Sequence, residues 1–343
     1  MSTAQIYKKI DMVFCCRISF FDNEKLKYTF YSASEIEIKK SWKKYTQTAL
    51  IKLPKKLNFI QANQIKEVEN LSDFIKKGDR VIIELGYNTI LKKEFEGYVS
   101  SSIKSAIPYE IECEDEMWKL KQKMVSVHIE DATVRQILQA AAPDYKIYCA
   151  DELYGDFSQV DTPVKIFETL RKTLGVYTFF RDKRLVCGLQ YVDQLVSDVV
   201  PNFVIGENII DFDIKVSTDE NAKVKVFGKS IQNNGSVIFY DKGDEGGVIT
   251  KLNIDYQLTK EELKKTVEAK YKREIEQGSI SGSFKTFGFP FVEHGQKINW
   301  YDPIREKIKA TYYIDEINID VSLSNGYKKT IVPGQNYKIE KIK

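Results

Sequence analysis

Gly78-Asp79-Arg80-Val81-Ile82-Ile83-Glu84-Leu85-Gly86-Tyr87 is a glycine turn feeding a strand of period-two grammar. The same grammar surrounds it. Ile36 and Ile38 alternate with Glu35, Glu37 and Lys39, and Tyr109-Glu-Ile-Glu-Cys113 alternates in the same way. Gly86-Tyr87-Asn88 and Pro108 add turns at short intervals, a spacing that suits a barrel or sandwich better than a parallel sheet with crossover helices. Residues 1–115 therefore read as an all-β domain. A second glycine turn, Gly295-Gln296-Lys297-Ile298-Asn299-Trp300, echoes the first. Tyr98, in Glu96-Gly97-Tyr98-Val99, follows Gly78 by 20 residues, and Tyr313, in Thr311-Tyr312-Tyr313-Ile314, follows Gly295 by 18.

The pattern changes between these copies. Asp131 is placed to cap a helix with Val134, Ile137, Leu138 and Ala141 on one face, and Pro143 stops it. Thr162-Pro163 starts another, with Ile166, Phe167, Leu170 and Leu174 in a stripe and Gly175 as its stop. The short runs Tyr145–Cys149, Val176–Phe180 and Arg184–Cys187 read as strands, so residues 116–195 form a small α/β domain. Beyond Pro201 the β pattern returns through 196–343. Asn234-Gly235 there signals a two-residue hairpin and Asn325-Gly326 another. One helix interrupts it, over about 259–277. Thr259 and Glu262 form its capping box, Leu263, Val267, Tyr271 and Ile275 its inner face, and Gly278 its end. The predicted fold class is mainly β with an α+β insertion: two similar β-barrel domains plus a small α/β domain.

Composition excludes several functions. The 343 residues carry 52 Lys+Arg against 49 Asp+Glu, a net charge of +3, too near neutral for a dedicated nucleic-acid binder. No apolar run approaches the ~18 residues of a membrane span, and no secretory signal is visible, so the expectation is a soluble protein made in the cytoplasm. The 20 Tyr and 19 Phe favour pleated, half-buried surfaces. Five cysteines without a C-x-x-C motif argue against structural zinc and a disulfide framework. Adjacent strand positions Cys15 and Cys16 should point to opposite faces.

The candidate sites have plainer explanations. His128-Ile-Glu130 matches half of a zinc-deaminase motif, but the P-C-x-x-C partner is absent. His294, in a glycine turn beside Glu293, reads as a solvent-facing loop residue able to titrate near neutrality. Pairs such as Glu35/Glu37 and Glu110/Glu112 share a strand face at a spacing that a glycosidase permits, yet 49 acids produce such pairs by chance. Gly243-Asp-Glu-Gly-Gly247 leads into neither a helix nor a P-loop lysine. Lys39-Lys40-Ser41-Trp42-Lys43-Lys44-Tyr45 interleaves aromatics with charge, and a protein contact or solvated strand end fits it better than a phosphate backbone does. Trp42 and Tyr45 are the candidate anchors of a subunit interface. No catalytic residue, metal or cofactor is expected.

Taken in order, these segments resemble a known family. Gly78–Tyr87, Phe95-Glu-Gly-Tyr-Val99 and Ile111-Glu-Cys-Glu-Asp115 resemble the first barrel of phage baseplate hub proteins. That group comprises the late-control-protein-D and Mu-like tail hubs, related to the hub part of type VI secretion spike proteins. Gly288-Phe-Pro290, Gly295-Gln-Lys-Ile298, Tyr312-Tyr313-Ile314 and Gly326-Tyr327 resemble its second barrel, with departures at His294 for proline and at Gln296 for aspartate. The resemblance implies a non-enzymatic homotrimer in the tail baseplate, a pseudo-six-fold ring joining tail tube or baseplate proteins to a tail spike. It also implies no sequence-specific nucleic-acid contact, DNA at most passing through the channel, and no membrane insertion of its own. A cell-wall hydrolase with a raised-pKa acid in a cleft, or a glycan- or receptor-binding tail component with exposed Tyr/Trp platforms, is the alternative.

Overall fold

The computed structural model describes residues 12–341 apart from 55–56, 62–63, 69–70, 104–107, 151–152, 190, 192–198, 217–223, 233, 247, 255–257, 277–279 and 304–307. The first β region contains β1 (Phe14–Asp22), β2 (Lys25–Phe30), β3 (Glu35–Ser41), β4 (Thr48–Leu53), β5 (Leu57–Gln61), β6 (Gln64–Val68), β7 (Arg80–Tyr87), β8 (Ile90–Val99) and β9 (Tyr109–Glu114). Their alternation is real. Val81, Ile83 and Leu85 of β7, Ile36 and Ile38 of β3, and Tyr109, Ile111 and Cys113 of β9 all point into one core. Cys16 also points inward and Cys15 does not, as adjacent strand positions require.

The insertion follows as α1 (Met117–Leu120), β10 (Val125–Thr133), α2 (Val134–Ala141), β11 (Lys146–Cys149), β12 (Leu153–Asp161), α3 (Pro163–Leu174), β13 (Thr178–Arg181) and β14 (Arg184–Cys187). Strand β14 lies between β11, parallel, and β13, antiparallel, while β10 and β12 pair as a separate ladder. One capping residue differs from expectation. Thr133 caps α2 in a reciprocal box with Gln136, whereas Asp131 adopts a left-handed φ of 48° two residues earlier and its N–H bonds Asp156. In α3, Pro163 occupies the first turn and Gly175, at φ +69°, ends the helix as the sequence predicts.

The second β region holds β15 (Asn202–Val204), β16 (Ile209–Phe212), β17 (Lys215–Val216), β18 (Val224–Ile231), β19 (Val237–Gly243), β20 (Val248–Ile254), α4 (Lys260–Glu276), β21 (Ile280–Ser281), β22 (Phe284–Phe287), β23 (Lys297–Asp302), β24 (Ile308–Ser322) and β25 (Gly326–Lys341). Helix α4 packs on the β19-β18-β20 sheet with its own small core, in which Leu263 and Val267 are fully buried. A Cβ at Gly228 would come within 2.3 Å of Val267, so β18 needs glycine there for the helix to approach. The Thr259–Glu262 capping box is present; the Ile275 side chain and Gly278 lie outside the described residues. The Asn234-Gly235 hairpin is longer than two residues. The strands end at Ile231 and Val237, the Gln232 N–H still reaches the Ser236 carbonyl at 2.8 Å, and within the turn the Asn234 side chain accepts the Ser236 N–H and Oγ.

Two features join the halves. Strand β24 pairs antiparallel with β3 from Glu316–Ser41 to Ser322–Glu35, so both β regions contribute to one 15-stranded sheet and one apolar core. The second is the internal repeat, which holds at the level of hydrogen bonds. In the first copy the Gly78 N–H donates to the Val99 carbonyl at 2.8 Å and the Val99 N–H to the Asp79 carbonyl at 2.9 Å. In the second, Gly295 donates to Ile314 at 2.6 Å and Ile314 to Gln296 at 3.0 Å. Each turn is tied by the side chain after the glycine: Asp79 Oδ2 accepts the Lys76 N–H, and Gln296 Oε1 accepts the Glu293 N–H. Glutamine thus performs the aspartate's task, and the turn survives the departure.

Candidate functional site

Period two places Lys40 on the same inward face of β3 as Ile36 and Ile38, and Lys329 on the face of β25 shared with Tyr327 and Ile331. Buried ammonium groups need partners. Both find Glu94 of β8: Lys329 Nζ lies 2.6 Å from Oε1, the Tyr327 hydroxyl donates to Oε1 at 2.7 Å, and Lys40 Nζ lies 3.3 Å from Oε2. Lys40 also bonds Glu293 at 2.7 Å. Burial alone would raise the Glu94 carboxyl, but Lys329 and Lys40 outweigh it and hold it below the usual carboxylate range. Burial likewise pulls on Lys40, whose two carboxylates keep it above its ordinary value, while Lys329, with one, is drawn below.

A second cluster adjoins the first. His294 is 1% exposed, not solvent-facing as its glycine turn suggests. Its ring contacts Gln47 Nε2 at 3.2 Å, and Arg181 Nη2 of β13 donates to its carbonyl. Burial, then Arg181 and Lys40, force the His294 pKa well down, so the imidazole is neutral. Gln47 also donates to the Phe180 carbonyl and, through its own N–H, to Asp115 Oδ2. Burial pushes the Asp115 carboxyl up to about 7, against the backbone bonds from Gln47 and Met117. These groups floor a cleft of about 1960 Å³ between the β regions and the insertion, with Phe287, Phe289 and Phe291 along one wall.

The chemistry of this floor is that of a clasp. Among the described residues no serine, threonine or cysteine lines the cleft, and Glu94 and Glu293 are occupied by lysines. Among the described residues no three His, Cys, Asp or Glu side chains are grouped to hold a metal. What the network does is fasten β3, β8, β25, the 288–296 turn and the insertion strand β13 to one another.

Trp42 and Tyr45 serve the same seam. Trp42 is 1% exposed, so the chain itself covers the surface expected to anchor a second subunit. Its Nε1 donates to Asp315 Oδ1 at 2.9 Å, its ring meets Tyr177 edge-on at 4.9 Å, and it packs with Phe179 and Val186. Asp315 gathers two further partners, the Tyr191 hydroxyl at 2.6 Å and Lys43 Nζ at 2.7 Å. Tyr45 is half-buried against the insertion core beneath the Arg171 guanidinium, 5.5 Å from its ring centre. Elsewhere, His128 is an exposed residue of β10 bonded to Ser126 and Ser158, and it belongs to no metal-holding group of three His, Cys, Asp or Glu among the described residues. Asp315, Glu94 and Arg181 escaped the sequence reading; a lysine on an apolar strand face, as at Lys40, was the available sign of a buried acid.

Solved structures of similar fold include a tail protein from Neisseria meningitidis MC58, with a TM-score of 0.66 and 11% identity over 94% of this chain and 97% of that one. A 43 kDa tail protein of the prophage MuSo2 from Shewanella oneidensis matches with a TM-score of 0.58 and 14% identity, covering 93% and 97%. An E. coli component of the type VI secretion system, c3393, matches at 0.54 and 9% identity, covering 94% and 77%. No family model matches the sequence, and no curated protein matches it. The expected resemblance to phage tail and type VI secretion proteins holds in the fold.

Proposed function

We propose that this chain, with the fold of tail proteins from a Mu-like prophage and of a type VI secretion component, is a structural, non-enzymatic baseplate hub. Three copies would form an annulus joining tail tube or baseplate proteins to a three-fold spike, in the tail of a contractile phage or related injection device. The observation that carries this reading is the duplicated turn, Gly78–Val99 and Gly295–Ile314, tied by the same pair of backbone bonds in each half. Two equivalent units per chain let three chains present six similar positions, which is what a junction between six-fold and three-fold objects requires. In this reading residues 1–115 and 196–343 are the two hub domains and 116–195 is the insertion between them.

The buried clasp supports a mechanical role. The Glu94 ion pairs and the Trp42–Asp315 bond join the two halves, and the Gln47–Phe180 and Arg181–His294 bonds tie the insertion to each, so load on one part passes to the others. Negatively stained particles of the purified chain, alone and with the product of a neighbouring spike gene, test the proposal. A ring with three-fold symmetry and six lobes is the expected image. Isolated single-chain particles in both preparations would reject it.

A further inference from the structure

Arg181 is a buried charge that this chain leaves incompletely satisfied. The residue is 7% exposed, and its Nη2 is used by His294, but Nε and Nη1 meet no acceptor among the described residues. Its guanidinium lies 5.6 Å from the Phe179 ring centre. The acids that act on it, Glu293 and Asp182, do so through space, and the Glu293 carboxylate is engaged by Lys40. A guanidinium cannot readily shed its proton, and burying one without a counter-charge is strongly unfavourable. Burial outweighs those two acids, and His294, which takes its Nη2, is neutral. Arg181 lines the cleft together with Phe287, which is 44% exposed, Phe289 and Phe291.

We propose that the cleft floor at Arg181 is a binding site for a carboxylate attached to an apolar body. The fixed planar donors of arginine suit a carboxylate, and the phenylalanines suit what carries it. The same chemistry has two sources, a free organic acid or a carboxylate of another polypeptide. Both orphan nitrogens are shut off from solvent, so the floor opens locally as the ligand enters. The site is a property of the single chain and does not depend on the ring.

The test is calorimetric titration of the full chain at constant ionic strength. The probes are 3-phenylpropionate, an aromatic dipeptide with a free C-terminal carboxylate, and the same dipeptide as its C-terminal amide. Saturable binding of 3-phenylpropionate or of the free-acid dipeptide is expected, with the amide inert. Preference for 3-phenylpropionate would identify a free acid as the source, and preference for the dipeptide a polypeptide. Arg181→Met should weaken binding at least about tenfold, the loss of a charge-assisted hydrogen bond. Arg181→Lys, which keeps the charge and guards against misfolding of the first variant, should fall between. Lys183→Met, at the exposed rim, should change affinity by less than about threefold. No saturable binding of either acid, or equal binding by wild type and the two Arg181 variants, would overturn the proposal.

Discussion

Glu94→Gln is the substitution that most sharply tests the buried clasp. The side chain keeps its shape and loses its charge, leaving Lys329, 0% exposed, without a carboxylate and Lys40 with only Glu293. Breaking a buried pair from one side costs about 3–5 kcal/mol, because the surviving charge stays buried. At roughly 2 °C per kcal/mol for a chain of this size, the melting temperature should fall by about 6–10 °C. Removing Glu94 together with Tyr327 and Lys329 tells the cost of an orphaned charge from the worth of the pair. The triple variant Glu94→Met/Tyr327→Phe/Lys329→Met has nothing left unpaired at that point and should recover most of the loss. Because the Glu94 pKa is depressed in the folded state, its contribution is complete above the unfolded carboxylate pKa and disappears as pH falls through the folded value. The penalty of Glu94→Gln should therefore shrink in acid. Urea denaturation of the two single variants, Glu94→Gln and Lys329→Met, and of their double measures the coupling, expected to be about 2 kcal/mol or more. Additivity within about 0.5 kcal/mol would refute the claim that these side chains act as one unit.

Asp115 should work in the opposite sense. Between its ordinary 3.8 and the folded value of about 7, the folded chain holds a proton that the unfolded chain has released, so stability should fall as pH rises through that window, by about 4 kcal/mol in all. Asp115→Asn should flatten the slope from a lower baseline, as read from urea midpoints at about pH 5 and about pH 8. Trp42→Ala should cost the isolated chain about 3–5 kcal/mol and Trp42→Phe about 1–2 kcal/mol, since only the bond to Asp315 and part of the ring are lost in the second. A Trp42→Ala chain that denatures like wild type would contradict its internal placement. Gly78→Ala and Gly295→Ala, at φ +92° and +77°, should each cost about 1–2 kcal/mol in thermal melts, matching one another as equivalent positions of a repeat.

The strands and helices were legible because each is encoded locally. Val81, Ile83 and Leu85 state an inward face, and Thr259–Glu262 states a helix start whatever the rest of the chain does. Capping was less secure where several polar residues compete: Asp131 and Thr133 both suit an N-cap, and only Thr133 has Gln136 three residues on. The seam was illegible for a different reason. Trp42 meets Asp315, Lys40 meets Glu293, and His294 meets Arg181 across separations of more than a hundred residues, and no local period encodes such pairs. Exposed aromatics among lysines and a histidine in a glycine turn carry the same signature as these buried ones. The one warning was stereochemical. Lys40 stands where alternation demands an apolar residue, so a buried acid had to exist somewhere to receive it.

Light scattering on the purified chain, alone and then with the spike partner, tests the hub reading most directly. The account predicts a mass of three times 39.7 kDa, either for the chain alone or within the complex. A mass of one chain in both preparations, with no association with the spike, would contradict the ring.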